Sequence, residues 1–102
     1  MRQRLISDMP RETEFSKGIQ TIERAITEGV TKIGRRLTTA DFTWHHGRVA
    51  PDMTDLEVRI GRRAVVGIFG RAEIEDSADR ADFAETLQTV QRIIAEAAQL
   101  PR

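Results

Sequence analysis

The chain has 102 residues, 16 basic and 16 acidic side chains, no formal net charge and no cysteine. That length holds one modest core and not two, and the lack of cysteine excludes disulfides, thiolate catalysis and zinc–thiolate sites. With 39% apolar and 31% charged residues the composition is that of a soluble globular protein, and no apolar run is long enough to span a bilayer.

The charge is unevenly spread. Residues 1–31 carry five basic and five acidic groups, residues 32–71 eight and four, and residues 72–102 three and seven. A basic middle therefore precedes an acidic C-terminal segment. That asymmetry suits a polar molecule, a head-to-tail assembly or an internally neutralised fold.

Residues 1–10 have no clear period and end at Pro10, so a flexible N-terminal arm is expected there. MRQRLISDMP is charged and no apolar h-region follows it, so no signal peptide is expected and the expected address is the bacterial-type cytoplasm. Residues 11–100 are expected to form a single small α+β domain.

From Glu12 the pattern turns helical. Phe15, Ile19, Ile22, Ile26, Val30, Ile33 and Leu37 recur at steps of three and four, one stripe of an amphipathic helix. Glu12 and Glu14 stand near its start and Arg35 and Arg36 near its end, the order that suits a helix dipole. A helix of about 26 residues is about 39 Å long. A four-stranded sheet is roughly 19 Å wide. Either Gly29 ends the helix early or part of the stripe pairs with a second copy.

The segment TTADFTWHHGRVAPDMTD is a connection with turn chemistry, and it allows a short strand with Phe42 and Trp44 on one face. Next, Leu56, Val58 and Ile60 alternate with Glu57 and Arg59, the signature of a half-buried strand. Ala64 to Phe69 is a second apolar run. Gly61-Arg62 or Gly61-Arg62-Arg63 makes the turn of a β-hairpin over about residues 55–69. A three-residue loop, Gly61-Arg62-Arg63, sets Ile60 opposite Ala64, Val58 opposite Val66 and Leu56 opposite Ile68. That register keeps one apolar face and is the preferred expectation.

GRAEIEDSAD follows as a turn or short helix. Ser77 or Asp79 then caps a C-terminal helix over about 79–99, with Phe83, Leu87, Val90, Ile94 and Ala97 as its apolar stripe and Pro101 as its stop. The expected fold is α+β: an N-terminal amphipathic helix, a small antiparallel sheet containing the hairpin, and a C-terminal helix, with both helices covering the sheet.

The tetrapeptide IGRR occurs at Ile33–Arg36 and again at Ile60–Arg63. The first copy lies in helical spacing and the second in a strand and its turn, so the two are read as a coincidence and not as a duplicated unit. Arg62 and Arg63 at the hairpin tip, near Arg59 and Arg71, suit a phosphate contact. Against this, the chain is neutral, has no tyrosine and has acidic residues at Glu73, Glu75, Asp76 and Asp79 to pair with these arginines.

In Trp44-His45-His46 the two histidines have the chemistry of metal ligands or proton shuttles. Neighbouring residues, however, point apart in a strand, and Asp41, Asp52 or Asp55 would have to complete any site. No EF-hand loop, P-loop or dinucleotide fingerprint is present, so no cofactor is expected.

EVRIGRRAVVGIFGRAEIEDSA resembles small bacterial proteins classed as a domain of unknown function, number 1488. The matching residues are Gly61, Arg62, Val65, Phe69, Arg71, Ile74, Glu75 and Asp76, and the likeness covers about residues 55–98. The resemblance implies a small α+β fold and supplies no activity.

The leading expectation is a small non-enzymatic protein that binds another protein or itself as a homodimer. Its expected surface comprises Arg35, Arg36, Arg59, Arg62 and Arg63, with Trp44 and His45 on an exposed loop. One alternative is a nucleic-acid-binding module using the same arginines, and the other a metal-binding or enzymatic protein centred on His45 and His46.

Overall fold

A computed structural model describes residues 8–78 and 84–100. In chain order the elements are helix α1 (Asp8–Lys32), a single 3-10 turn (Thr39–Asp41), strands β1 (Phe42–His46), β2 (Met53–Ile60) and β3 (Arg63–Gly70), a short helix α2 (Arg71–Asp76) and helix α3 (Ala84–Gln99). The strands form one antiparallel sheet in the order β1-β2-β3. The α+β class and the order of elements expected from the sequence are those observed.

α1 starts earlier than its apolar stripe, so Asp8–Pro10, expected in the N-terminal arm, belong to the helix. Residues 1–7 lie outside the described residues. Proline is tolerated in a first turn, where its missing N–H has no intrahelical partner.

Gly29 does not end the helix. A side chain there would collide with Ile94, its Cβ lying 2.2 Å from Ile94 Cδ1, so the glycine admits α3. The stripe packs within one chain against successive neighbours, with Ile22, Ile26, Val30 and Leu37 buried and Phe15, Ile19 and Ile33 half-buried. α1 meets α2 at Gly18, β1 through Trp44 and α3 at Gly29. Neither of the two expected solutions, a break or a second copy, is needed for its length.

α1 stops at Lys32 in a Schellman motif. Gly34 takes φ +85 and donates to Thr31 O at 3.0 Å, while Arg35 N–H donates to Val30 O at 3.1 Å. This pairing satisfies carbonyls that the helix end leaves open. The first IGRR is therefore a helix terminus.

The second IGRR is a hairpin turn, as expected, but its loop has two residues and not three. Gly61 takes φ +64 while Arg62 does not share a positive φ, the pattern of a type II′ turn with glycine first. Ile60 pairs with Arg63, Val58 with Val65 and Leu56 with Gly67. The expected register is thus corrected by one residue, which turns every β3 side chain to the other face. The core decides the slip: it takes Val65 and the whole of Phe69, and Gly67 makes room for Thr89 and Ile93 of α3. Val66 and Ile68 are left outside.

Leu56, Val58, Ile60, Val65 and Phe69 from the sheet form one core with Ile22, Ile26 and Val30 of α1, Ile74 of α2, and Val90, Ile93 and Ala97 of α3. The α3 stripe is rotated from the expected one: Thr86 and Ile93 are buried, Ile94 is half-buried and Leu87 is exposed. Thr86 is drawn inward toward Ser77, whose Oγ lies 3.4 Å from Thr86 Oγ1. Ser77 ends α2; its Oγ–H donates to Glu73 O at 2.7 Å. Asp79 and Phe83 lie outside the described residues.

Candidate functional site

Alternation along the strands divides the sheet into two faces. Phe42, Trp44, Leu56, Val58, Ile60, Val65 and Phe69 face the helices. Thr43, His45, Asp55, Glu57, Arg59, Ala64, Val66 and Ile68 lie on the other side, which no element among the described residues covers. Val66 and Ile68 are 42% and 40% exposed on that open face, and Val49 of the β1–β2 loop is 60% exposed.

The open face also carries a charged network. Asp55 is 2% exposed although it sits on the uncovered side. Its cross-strand neighbours are His45 and Ile68, and Arg48 Nη2 from the β1–β2 loop reaches back to Asp55 Oδ2. Asp55 Oδ1 has no hydrogen-bond partner among the described residues. Arg48 Nη2 is also 3.9 Å from Glu57 Oε1, and His45 Nε2 is 2.8 Å from the same oxygen. The result is a chain of contacts, His45–Glu57–Arg48–Asp55, that ties the loop to the strands.

At the hairpin end, Arg59, Arg62 and Arg63 line a cleft of about 160 Å³ together with Asp41, Thr43, Glu57 and Ala64. None of the three arginines has an ion-pair partner among the described residues. Three of the expected surface residues therefore come together. The two arginines of the first IGRR do not join them. Arg35 Nη2 donates to Leu100 O and ties the end of α1 to the end of α3, and Arg36 is exposed but does not line the cleft. Arg71 is engaged elsewhere, 3.2 Å from Glu75 Oε2 and 5.1 Å from the centroid of the Phe15 ring.

Trp44 is not an exposed loop residue. It lies on β1, faces the helices, and is half-buried. Its ring is 5.7 Å from that of Phe69, and its Nε1–H donates to Glu23 Oε2 at 2.7 Å. The indole meets the rule that a buried ring N–H finds an acceptor. The sequence shows Phe42 and Trp44 on one face of a strand, and the structure makes that face the inner one.

His45 is on the open face, while His46 is on the other, 3.2 Å from Thr54 Oγ1 and with its ring 5.4 Å from that of Phe15. Adjacent strand residues diverge, so the two rings cannot share an ion. Of the three candidate carboxylates, Asp55 lies beside His45 but holds Arg48, Asp41 Oδ2 accepts from Thr38 N–H at 2.8 Å, and Asp52 lies in the β1–β2 turn. Among the described residues no group of three His, Cys, Asp or Glu side chains is placed to hold a metal, and no helix is long and apolar enough to cross a membrane.

Sequence reasoning named Asp55 only as a possible partner of the histidines, and it passed over Arg48 and the β3 edge. A lone carboxylate alternating outward in a strand reads as solvated. Its burial depends on a loop folding back, which no local period records. No protein-family model, curated protein or solved structure matches the chain.

Proposed function

We propose that this chain is a non-enzymatic protein-interaction module that receives its partner at the exposed strand β3, where the open side of the sheet meets its edge. The observation that carries the reading is the pair Val66 and Ile68, exposed on the uncovered face of the edge strand β3. Exposed apolar groups in one strip, rimmed by charged residues, are the usual mark of a docking surface. The rim here is the His45–Glu57–Arg48–Asp55 network on one side and the cleft arginines on the other. The reading keeps the cytoplasmic address expected from the sequence.

The test is site-specific photo-crosslinking in the source cell. A photoreactive residue at Ile68 gives covalent protein adducts, and the same group at Gln88, exposed on α3, gives none. Adducts from Gln88 alone would contradict the reading.

One observation favours a second reading. Arg59, Arg62 and Arg63 share a cleft without ion-pair partners, an arrangement suited to nucleic-acid phosphates. It is the weaker of the two, because Phe42, Trp44 and Phe69 all turn inward, and the one ring among the described residues on the open face, His45, is held by Glu57 at 2.8 Å, which leaves no platform of successive rings for base stacking. It predicts retardation of DNA or RNA at low ionic strength that falls steeply with salt. Absence of retardation at low salt removes it.

A further inference from the structure

The free edge of β3 has a readable hydrogen-bond parity. Gly47 N–H donates to Met53 O at 2.9 Å, and Arg71 N–H donates to Asp52 O at 3.0 Å. Antiparallel ladders alternate between bonded and non-bonded pairs. With the register Leu56 to Gly67, the main-chain groups of Arg63, Val65, Gly67 and Phe69 therefore face β2. Those of Ala64, Val66, Ile68 and Gly70 face the open edge. Gly70 is already capped, because Glu73 reaches back from α2 and accepts its N–H at Oε2, 2.7 Å away, as an N3 glutamate does in a capping box.

Three residues are left, Ala64, Val66 and Ile68, each with an N–H and a C=O pointing off the sheet. Natural edges are guarded by charge, proline, bulges or short length. The run AVVGIFG from Ala64 to Gly70 has no charged residue and no proline, and its pairing with β2 is unbroken.

We infer that this edge seats a second copy of the same chain, the two β3 strands lying antiparallel about a two-fold axis at Val66. The assignment rests on the protein-interaction reading and names its partner. The edge is self-complementary in this register. Val66 falls opposite Val66 of the second copy and Ala64 opposite Ile68, so every N–H and C=O of the three residues finds a partner. The side chains of Ala64, Val66 and Ile68 from both copies then join into one apolar stripe on the open face.

Charge selects the same register. Arg62, which has no ion pair among the described residues, falls opposite Gly70 of the second copy, where the Glu73 carboxylate sits. The two-fold axis makes that contact twice, a cation against an anion at each end of the paired strands. Moving the axis to Gly67 sets Arg63 against Arg71 and Ala64 against the capped Gly70. A foreign strand would meet the same edge but has no inherent match to both charged ends.

The chain has no cysteine, so V66C carries a single thiol placed on the axis. V66C is expected to form a disulfide-linked dimer under mild oxidation about tenfold faster than V49C, because pairing raises the effective concentration of one thiol at the other. V49C is a fair control, since Val49 is the more exposed of the two. Light scattering of the unmodified chain is expected to rise with concentration from 11.5 kDa toward twice that mass, and V66K is expected to stay at the single-chain mass with its circular dichroism unchanged.

A single-chain mass at every concentration overturns the assignment, as does V66C crosslinking no faster than V49C. If the chain is monomeric but V66K abolishes Ile68 photo-adducts with a foreign protein, the second-copy assignment falls and the protein-interaction reading stands.

Discussion

A Cβ on Gly18 would stand 1.7 Å from the carbonyl oxygen of Ile74, so α1 and α2 touch backbone to backbone. α2 has six residues, too few to be stable alone, and this contact seats it. Through α2 it also places Glu73 on the end of β3. Gly18→Ala is expected to destabilise the fold by about 1–3 kcal/mol net, although alanine is the better helix former by about 1 kcal/mol. Gly29→Ala should cost less, because the obstructing Ile94 Cδ1 is the far end of a side chain that can turn away. Urea denaturation of the two variants checks the order.

The Trp44–Glu23 hydrogen bond has a convenient reporter, since Trp44 is the one tryptophan of the chain. Glu23→Ala leaves the half-buried indole N–H without its acceptor and is expected to cost about 1–3 kcal/mol. Glu23→Gln keeps an acceptor oxygen and should lose less. Tryptophan fluorescence during unfolding measures both, and equal losses in the two variants would contradict a hydrogen-bonding role for Glu23.

Arg48→Met strands the Asp55 carboxylate beneath the loop. Breaking a buried pair from one side is costly, but Arg48 is itself half exposed, which softens the loss to about 1–2 kcal/mol. Adding Asp55→Val removes the stranded charge and supplies a strand-forming side chain. The double variant is expected to be more stable than Arg48→Met alone, a coupling that a thermal-melt double-mutant cycle reads directly.

Gly61→Ala isolates a backbone effect. No atom lies within 4 Å of the added Cβ, so the cost is that of a positive φ in an L-residue, about 1–2 kcal/mol. Gly61→Asn should lose about as much, because asparagine tolerates the left-handed helical region and not the extended ψ that the first position of a type II′ turn requires. Recovery of stability by asparagine would point to a different turn.

The sequence shows the apolar stripe from Phe15 to Val30 plainly because one period runs through it. The stripe also counts Ile33 and Leu37, which lie past the helix end at Lys32, since the chain leaves α1 at Gly34 and still turns Leu37 into the core. The hairpin is legible and its register is not. In β3 both alternating sets, Val65 with Phe69 and Val66 with Ile68, are apolar, so a period of two has two solutions. The packing of α3 over Gly67 chooses between them, and that is a long-range fact. The same slip creates the exposed pair on which the functional reading rests. The cleft arginines are legible because they surround one turn. Arg35 looks equivalent to them in sequence and differs only in meeting Leu100, which lies far along the chain.

The most direct test is residue-resolved amide hydrogen exchange along β3. In the dilute, unpartnered chain Val65 and Gly67, bonded to β2, exchange slowly, while Ala64, Val66 and Ile68 exchange fast. When the partner is docked, whether a second copy at high concentration or a protein recovered by crosslinking, these three amides become protected together. Fast exchange at Ala64, Val66 and Ile68 in the bound state, with new protection on the exposed side of α3 instead, would contradict docking at the β3 edge.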